Sequence, residues 1–168
     1  MKLPNIPKPT FKQTLYTALT LTVMAAIFFF SSQTGVESED MSGIAQQTII
    51  TILLRFVSVE KIPRVVAYSL EFLLRKSAHL LLFGFLGLFA ASALKSYGVK
   101  DGVFLKTFAF CVLYAVSDEI HQLFIDGRAA LFTDVLIDAA GSAVGIFVQF
   151  KADKFRNRRS INRHSECL

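Results

Sequence analysis

Four stretches of this chain are apolar for about the 20 residues that a helix needs to cross a bilayer. They run over 14–30, 77–94, 103–124 and 131–150. The first follows Lys2, Lys8 and Lys12, as a secretory signal would, but FFFSS at 28–32 offers no small-x-small cleavage site. It therefore predicts a retained membrane helix. The third starts apolar and ends in SDEIHQLF. Between the first two lies a long segment that opens with the polar, acidic SSQTGVESED. Residues 44–57 follow, apolar at 44, 49, 50, 52, 53, 54, 56 and 57, which predicts an amphipathic helix lying in the membrane interface. Pro63 suits the first turn of a helix that starts at Arg64 and runs into the second span. The pattern predicts an all-α polytopic membrane protein: four transmembrane helices plus an amphipathic interfacial helix in the first outer loop. There is no repeat and no sign of a second domain.

Composition agrees. The 168 residues are 53% hydrophobic and 18% charged, and 17 are Phe. Soluble domains carry about 25% charged residues. These values exclude a disordered chain and a fibrous one. Cys111 and Cys167, one in an apolar run and one in the tail, make no disulfide framework.

The net charge of +5 would suit nucleic acid, but its distribution points to a membrane. With four crossings, twelve Lys and Arg fall on the side of both termini and six on the other. Only three acids, Asp101, Asp153 and Glu166, join the twelve, so the two sides carry +9 and −4. The positive-inside rule then places both termini, 1–13 and 151–168, in the cytoplasm of a cell with this protein in its plasma membrane. The basic tail reads as a topology signal, and no nucleic-acid partner is expected.

With this topology the ionisable residues of the spans collect in one outer layer. Arg75, Lys76 and His79 sit at the outer end of the second helix, and Asp118, Glu119, His121 and Gln122 at that of the third. Asp126, Gly127 and Arg128 form the outer loop, and Asp134 and Asp138 open the fourth helix. Arg75 and His79, Asp118 and Gln122, and Asp134 and Asp138 are each four apart and share a helix face. A charge at the bilayer centre costs about 2.5–3.5 kcal/mol on insertion scales, so such groups persist when paired, hydrated or useful. Arg75 and Arg128 offer forks suited to phosphate or carboxylate. His79 and His121 move protons near neutral pH, and crowded carboxylates suit acid–base work. The structural alternative is that these groups form buried pairs that lock the bundle, with Asp134 serving the dipole of its helix. There is no HExxH, Cys–His metal spacing, GxSxG, P-loop or GxGxxG, and neither metal nor cofactor is assigned. Gly141 and Gly145 form a GxxxG that is expected to pack inside the bundle, with Gly84 and Gly87 as the matching small surface.

Several of these pieces resemble the VanZ-like family pattern. They are Arg75-Lys76-Ser77-Ala78-His79, Ser117-Asp118-Glu119-Ile120-His121-Gln122, Gly127-Arg128, and Asp134 and Asp138 with glycines after them. Phe30-Ser31-Ser32-Gln33 resembles the SSQ stretch after that family's first membrane helix. Asp126 departs from the pattern, which more often has Pro before Gly-Arg. The resemblance covers about residues 14–150 and implies a small bacterial integral membrane protein. The family's namesake is linked to teicoplanin resistance. Its motif residues fall on Gln33, Arg75, His79, Glu119, Gln122, Arg128, Asp134 and Asp138.

Two functions lead at this stage, with a transporter as a third option that four helices per chain would support only as an oligomer. The first is a non-enzymatic envelope protein whose outward polar pocket binds a lipid headgroup, a lipid-linked wall precursor or an amphiphilic glycopeptide. Gln33, Arg75, Asp118, Gln122, Arg128, Asp134 and Asp138 are then the ligand-binding set. The second is an intramembrane hydrolase or transferase acting on an outer-leaflet lipid-linked substrate, with Glu119, His121 and His79 as acid–base groups. Membrane lipids are partners in either case.

Overall fold

The computed structural model describes residues 9–34, 36, 44, 48 and 64–165. Apart from Ile44 and Thr48, the amphipathic segment expected over 44–57 lies outside the described residues. Among the described residues the chain forms four helices: α1 (Phe11–Ser31), α2 (Arg64–Ser96), α3 (Val103–Gln122) and α4 (Phe132–Ser165). Three segments are long and apolar enough to cross a membrane: Phe11–Ser31, Leu73–Ser96 in α2 and Phe132–Arg156 in α4. The chain is a multi-pass membrane protein. The 20-residue α3 carries Lys106, Asp118 and Glu119, so length and composition alone do not mark it as a fourth span.

Local signals set the helix ends. Thr10 and Gln13 form a reciprocal capping box at the start of α1, which satisfies two backbone donors that helix geometry leaves over. That places the helix start three residues before the apolar run begins. Helix α2 runs unbroken from Arg64 into its span, as Pro63 suggested. Helix α3 stops at Gln122, two residues short of the apolar run. Helix α4 continues past the apolar run through Ser165, so most of the basic tail is helical.

Long-range contacts give an up-and-down bundle. At one end Ser31 of α1 meets Asp118 of α3, and His79 of α2 meets Asp138 of α4. At the other, the Gln13 amide donates to the Ser96 carbonyl (3.1 Å), and Lys95 meets Asp153 (2.8 Å). Midway, the Tyr114 hydroxyl donates to the Met24 carbonyl (2.8 Å) and ties α3 to α1.

Small residues set the spacing of α2 and α4. A Cβ on Gly141 would strike the Leu80 backbone, one on Gly145 the Gly84 carbonyl, and one on Gly87 the Ser142 carbonyl. The GxxxG thus packs within the chain. Lipid tails are as apolar as Leu, so membrane helices associate through such close van der Waals contact rather than hydrophobic burial.

The core is correspondingly mixed. Phe83, Leu86, Cys111, Ala115 and Ile146 are fully buried, but so are Thr107, Asp138 and Ser142, with Asp118, Glu119 and Gln149 nearly so. Phe29, Leu105, Leu113, Val144 and Phe147 face outward. On a soluble protein that surface would be an aggregation hazard; here it suits lipid.

Lys95 and Asp153, which the sequence reading treated only as topology charge, form a network with Gln149. Lys95 Nζ donates to Gln149 Oε1 and Asp153 Oδ2 (2.8 Å each), and Gln149 Nε2 donates to the same Asp153 oxygen (2.7 Å). Arg156 pairs with the other Asp153 oxygen. Lys95 also lies 3.6 Å from the centroid of the Phe150 ring. Lys95→Met is expected to cost about 1 kcal/mol, because the charge-assisted bonds are discounted by partial exposure. Thermal unfolding in detergent measures it, and an unchanged midpoint would remove this network from the stability of the fold.

Candidate functional site

Four helices contribute to one polar cluster at the end that holds the α3–α4 loop. Asp118 lies on the inward face of α3, one turn before Gln122. Its Oδ2 accepts from Ser31 Oγ of α1 (2.7 Å) and from Gln122 Nε2 (3.1 Å). Gln122 Nε2 also reaches Ser31 Oγ (3.4 Å), which closes a triangle of buried groups. From α2, His79 Nδ1 comes within 3.5 Å of Asp138 Oδ1 on α4. Asp138 is fully buried, and neither of its carboxylate oxygens has a hydrogen-bond partner among the described residues. Neither does His79 Nδ1. One ligand atom each from His79, Asp118 and Asp138 lies within 4.8 Å of the others, a group able to hold a metal ion.

One helical turn nearer the start of α4, Lys76 pairs with Asp134. Asp134 also sits in the first turn of α4, where a carboxylate complements the helix dipole. Among the described residues, ion pairs at this end include Lys76–Asp134 and the His79–Asp138 contact.

The loop that closes this end is anchored at two points. Glu119, nearly buried, accepts the Leu131 backbone N–H on Oε2 (2.8 Å), which holds the start of α4 against α3. Its Oε1 is buried without a hydrogen-bond partner among the described residues. Gly127 adopts φ 74°, a left-handed conformation that costs glycine nothing and turns the chain toward α1. Arg128 then donates from Nε to the Gln33 carbonyl (3.2 Å) and from Nη2 to the Phe30 carbonyl (3.3 Å). These carbonyls belong to the end of α1 and the residues just after it, where helical partners run out. The guanidinium thus caps α1 as well as facing the site. Burial, and then the like charge of Arg75, hold its pKa below the ordinary arginine value.

A family model described as VanZ/LLP1 matches residues 16–152. The chain belongs to the VanZ/LLP1 family. Comparison with curated proteins and with solved structures returns no match.

Each motif of this VanZ/LLP1 chain has a place in the geometry. In the Ser-Ser-Gln stretch, Ser31 reaches the cluster; the Gln33 side chain turns back to the Phe29 carbonyl (3.4 Å), and its own carbonyl receives Arg128. In the Asp-Glu-x-x-Gln-like stretch, Asp118 and Gln122 face inward while Glu119 holds the loop. His121 points elsewhere: its ring stacks on Phe28 (centroids 4.7 Å apart) and its Nε2 lies 3.1 Å from Ser32 Oγ. Of the two histidines among the acid–base candidates, His79 is therefore the one beside the buried carboxylates. Sequence reasoning assigned no role to Ser31. Its signal was present, as a serine beside a residue pattern that recurs at the end of the first membrane helix.

Proposed function

We propose that this VanZ/LLP1 protein is a bacterial envelope protein that holds the polar, phosphate-bearing headgroup of a lipid or lipid-linked wall precursor at the α3–α4 end of its bundle. In this reading α3 is a fourth crossing, both termini are cytoplasmic, and the site faces the outer leaflet. The observation that carries it is the convergence of ionisable groups from α2, α3, α4 and the α3–α4 loop at one end, beneath the basic residues Arg75, Lys76 and Arg128. Groups of this cost persist in a membrane protein where they meet a ligand or ion. Arg128 contributes a planar fork suited to phosphate oxygens. A glycopeptide with a lipid tail would meet the same surface, which is how teicoplanin-type resistance would arise.

The test is native mass spectrometry of the protein purified from its membrane. Wild type is expected to carry phosphate-bearing lipid, and Arg128→Gln to lose most of it. Equal retention by both would overturn the reading. A second reading, an enzyme acting on the same lipid, is favoured by buried Glu119 Oε1 and the Asp138 oxygens, which have no hydrogen-bond partner among the described residues. Envelope lipids and precursors from cells expressing wild type, Glu119→Gln or neither separate the two. A species created or consumed by wild type alone makes the protein an enzyme and names its substrate. Glu119→Gln suits this test because its carbonyl oxygen still accepts the Leu131 N–H.

A further inference from the structure

We infer that His79, Asp118 and Asp138 form a binding site for one divalent first-row transition-metal ion. Three observations converge. Asp138 is fully buried, with both oxygens lacking a hydrogen-bond partner among the described residues. His79 Nδ1 is buried, equally without one, and lies 3.5 Å from Asp138 Oδ1. Asp118 brings a third ligand atom, and all three lie within 4.8 Å of one another.

The spacing suits a shared ion. Ligands held at about 2.0–2.2 Å from a metal lie about 3–4 Å from each other. The His79–Asp138 pair already has that separation, and small side-chain rotations bring in Asp118. Ser31 and Gln122 both donate to one Asp118 oxygen and fix the orientation of the carboxylate, the usual work of groups behind a metal ligand.

Charge gives an independent argument. Two buried carboxylates share this cluster with a single imidazole, so even a protonated His79 balances only one of them in a low-dielectric bundle. Nearby Lys76 is engaged with Asp134. A divalent cation held by both carboxylates and a neutral imidazole brings the cluster to neutrality and gives the Asp138 oxygens ligand bonds beyond the 3.5 Å contact with His79.

The donor set selects the ion. One imidazole and two carboxylates suit Zn²⁺, Mn²⁺ or Fe²⁺; there is no thiolate for Cu⁺, and Ca²⁺ asks for six to eight oxygens. Three protein ligands leave coordination positions open, as in metal sites that bind a further group. A phosphate oxygen is a chemically suitable occupant, but the site stands without the headgroup reading, since metal binding is measured with no lipid ligand added.

The test uses the full chain in detergent, carrying a tag without histidine. The protein is stripped with chelator, incubated with Zn²⁺ or Mn²⁺, desalted and analysed for metal and protein. Wild type is expected to retain about one ion per chain, to ignore Mg²⁺ and Ca²⁺ at equal concentration, and to gain thermal stability on loading. His79→Gln and Asp138→Asn are expected to lose both retention and the thermal gain. His121→Gln is expected to keep both, because that ring faces Phe28 and Ser32. Absence of retained metal in wild type overturns the site, as does metal retained unchanged by His79→Gln and Asp138→Asn. Should those variants fail to fold, Co²⁺ loading of wild type decides. Ligand-field bands with a paramagnetically shifted imidazole that persists in His121→Gln support the site, and their absence overturns it.

Discussion

Gly145→Leu is expected to prevent the bundle from forming. A Cβ at residue 145 would overlap the Gly84 carbonyl of α2, and one at residue 141 would strike the Leu80 carbonyl. Overpacking a core by a methylene or two costs about 1–3 kcal/mol when side chains can give way. Here the obstructing atoms are backbone, so relief requires α2 and α4 to separate. That would also part His79 from Asp138 and Lys95 from Asp153, which bridge the same two helices at opposite ends. A loss above about 3 kcal/mol follows for Leu, with Ala intermediate. Ala140→Leu is the control, since residue 140 is exposed on the same helix. Yield of monodisperse protein and thermal unfolding in detergent are the measurements. A folded Gly145→Leu protein would overturn the packing of these glycines within the chain.

The sequence carried the helices better than their facing. Apolar runs located all four, and three of them have the continuous length and hydrophobicity that a bilayer demands. Ends were less legible. Helix α1 starts early because the Thr10–Gln13 capping box is polar and lies outside the apolar run. The extension of α4 to Ser165 was not legible because a basic stretch carries no hydrophobic signal to count. Within the site, spacing and topology brought His79, Asp118, Gln122 and Asp138 to one layer, and the structure joins them through Ser31 and the His79–Asp138 contact. Spacing along one helix cannot say how that helix is rotated against its neighbours. His121, three residues after Asp118, therefore read as part of the same group although its ring faces α1. Lys95 and Asp153 are 58 residues apart and became a pair only when α2 and α4 were set antiparallel.

Asp118→Ala and Asp118→Asn are expected to move stability in different directions in metal-free protein. Alanine removes the oxygen that accepts from Ser31 and Gln122. Each buried donor left without an acceptor costs about 1–3 kcal/mol. Gln122 retains its contact with the Ser31 hydroxyl at 3.4 Å, which limits the total to about 2–4 kcal/mol. Asparagine keeps an acceptor oxygen in the same place and removes one of two negative charges that share the cluster. Its amide also brings a donor beside Asp138, whose oxygens have none among the described residues. In chelator, Asp118→Asn should therefore melt at or above wild type and Asp118→Ala well below both. With Zn²⁺ or Mn²⁺ added, the order of the first two reverses, because wild type alone keeps all three ligands. A reversal requires the carboxylate charge at residue 118 to be worth more to a bound cation than it costs the empty bundle. A carboxylate that serves only to hold Ser31 and Gln122 in place would leave the order of melting unchanged by metal.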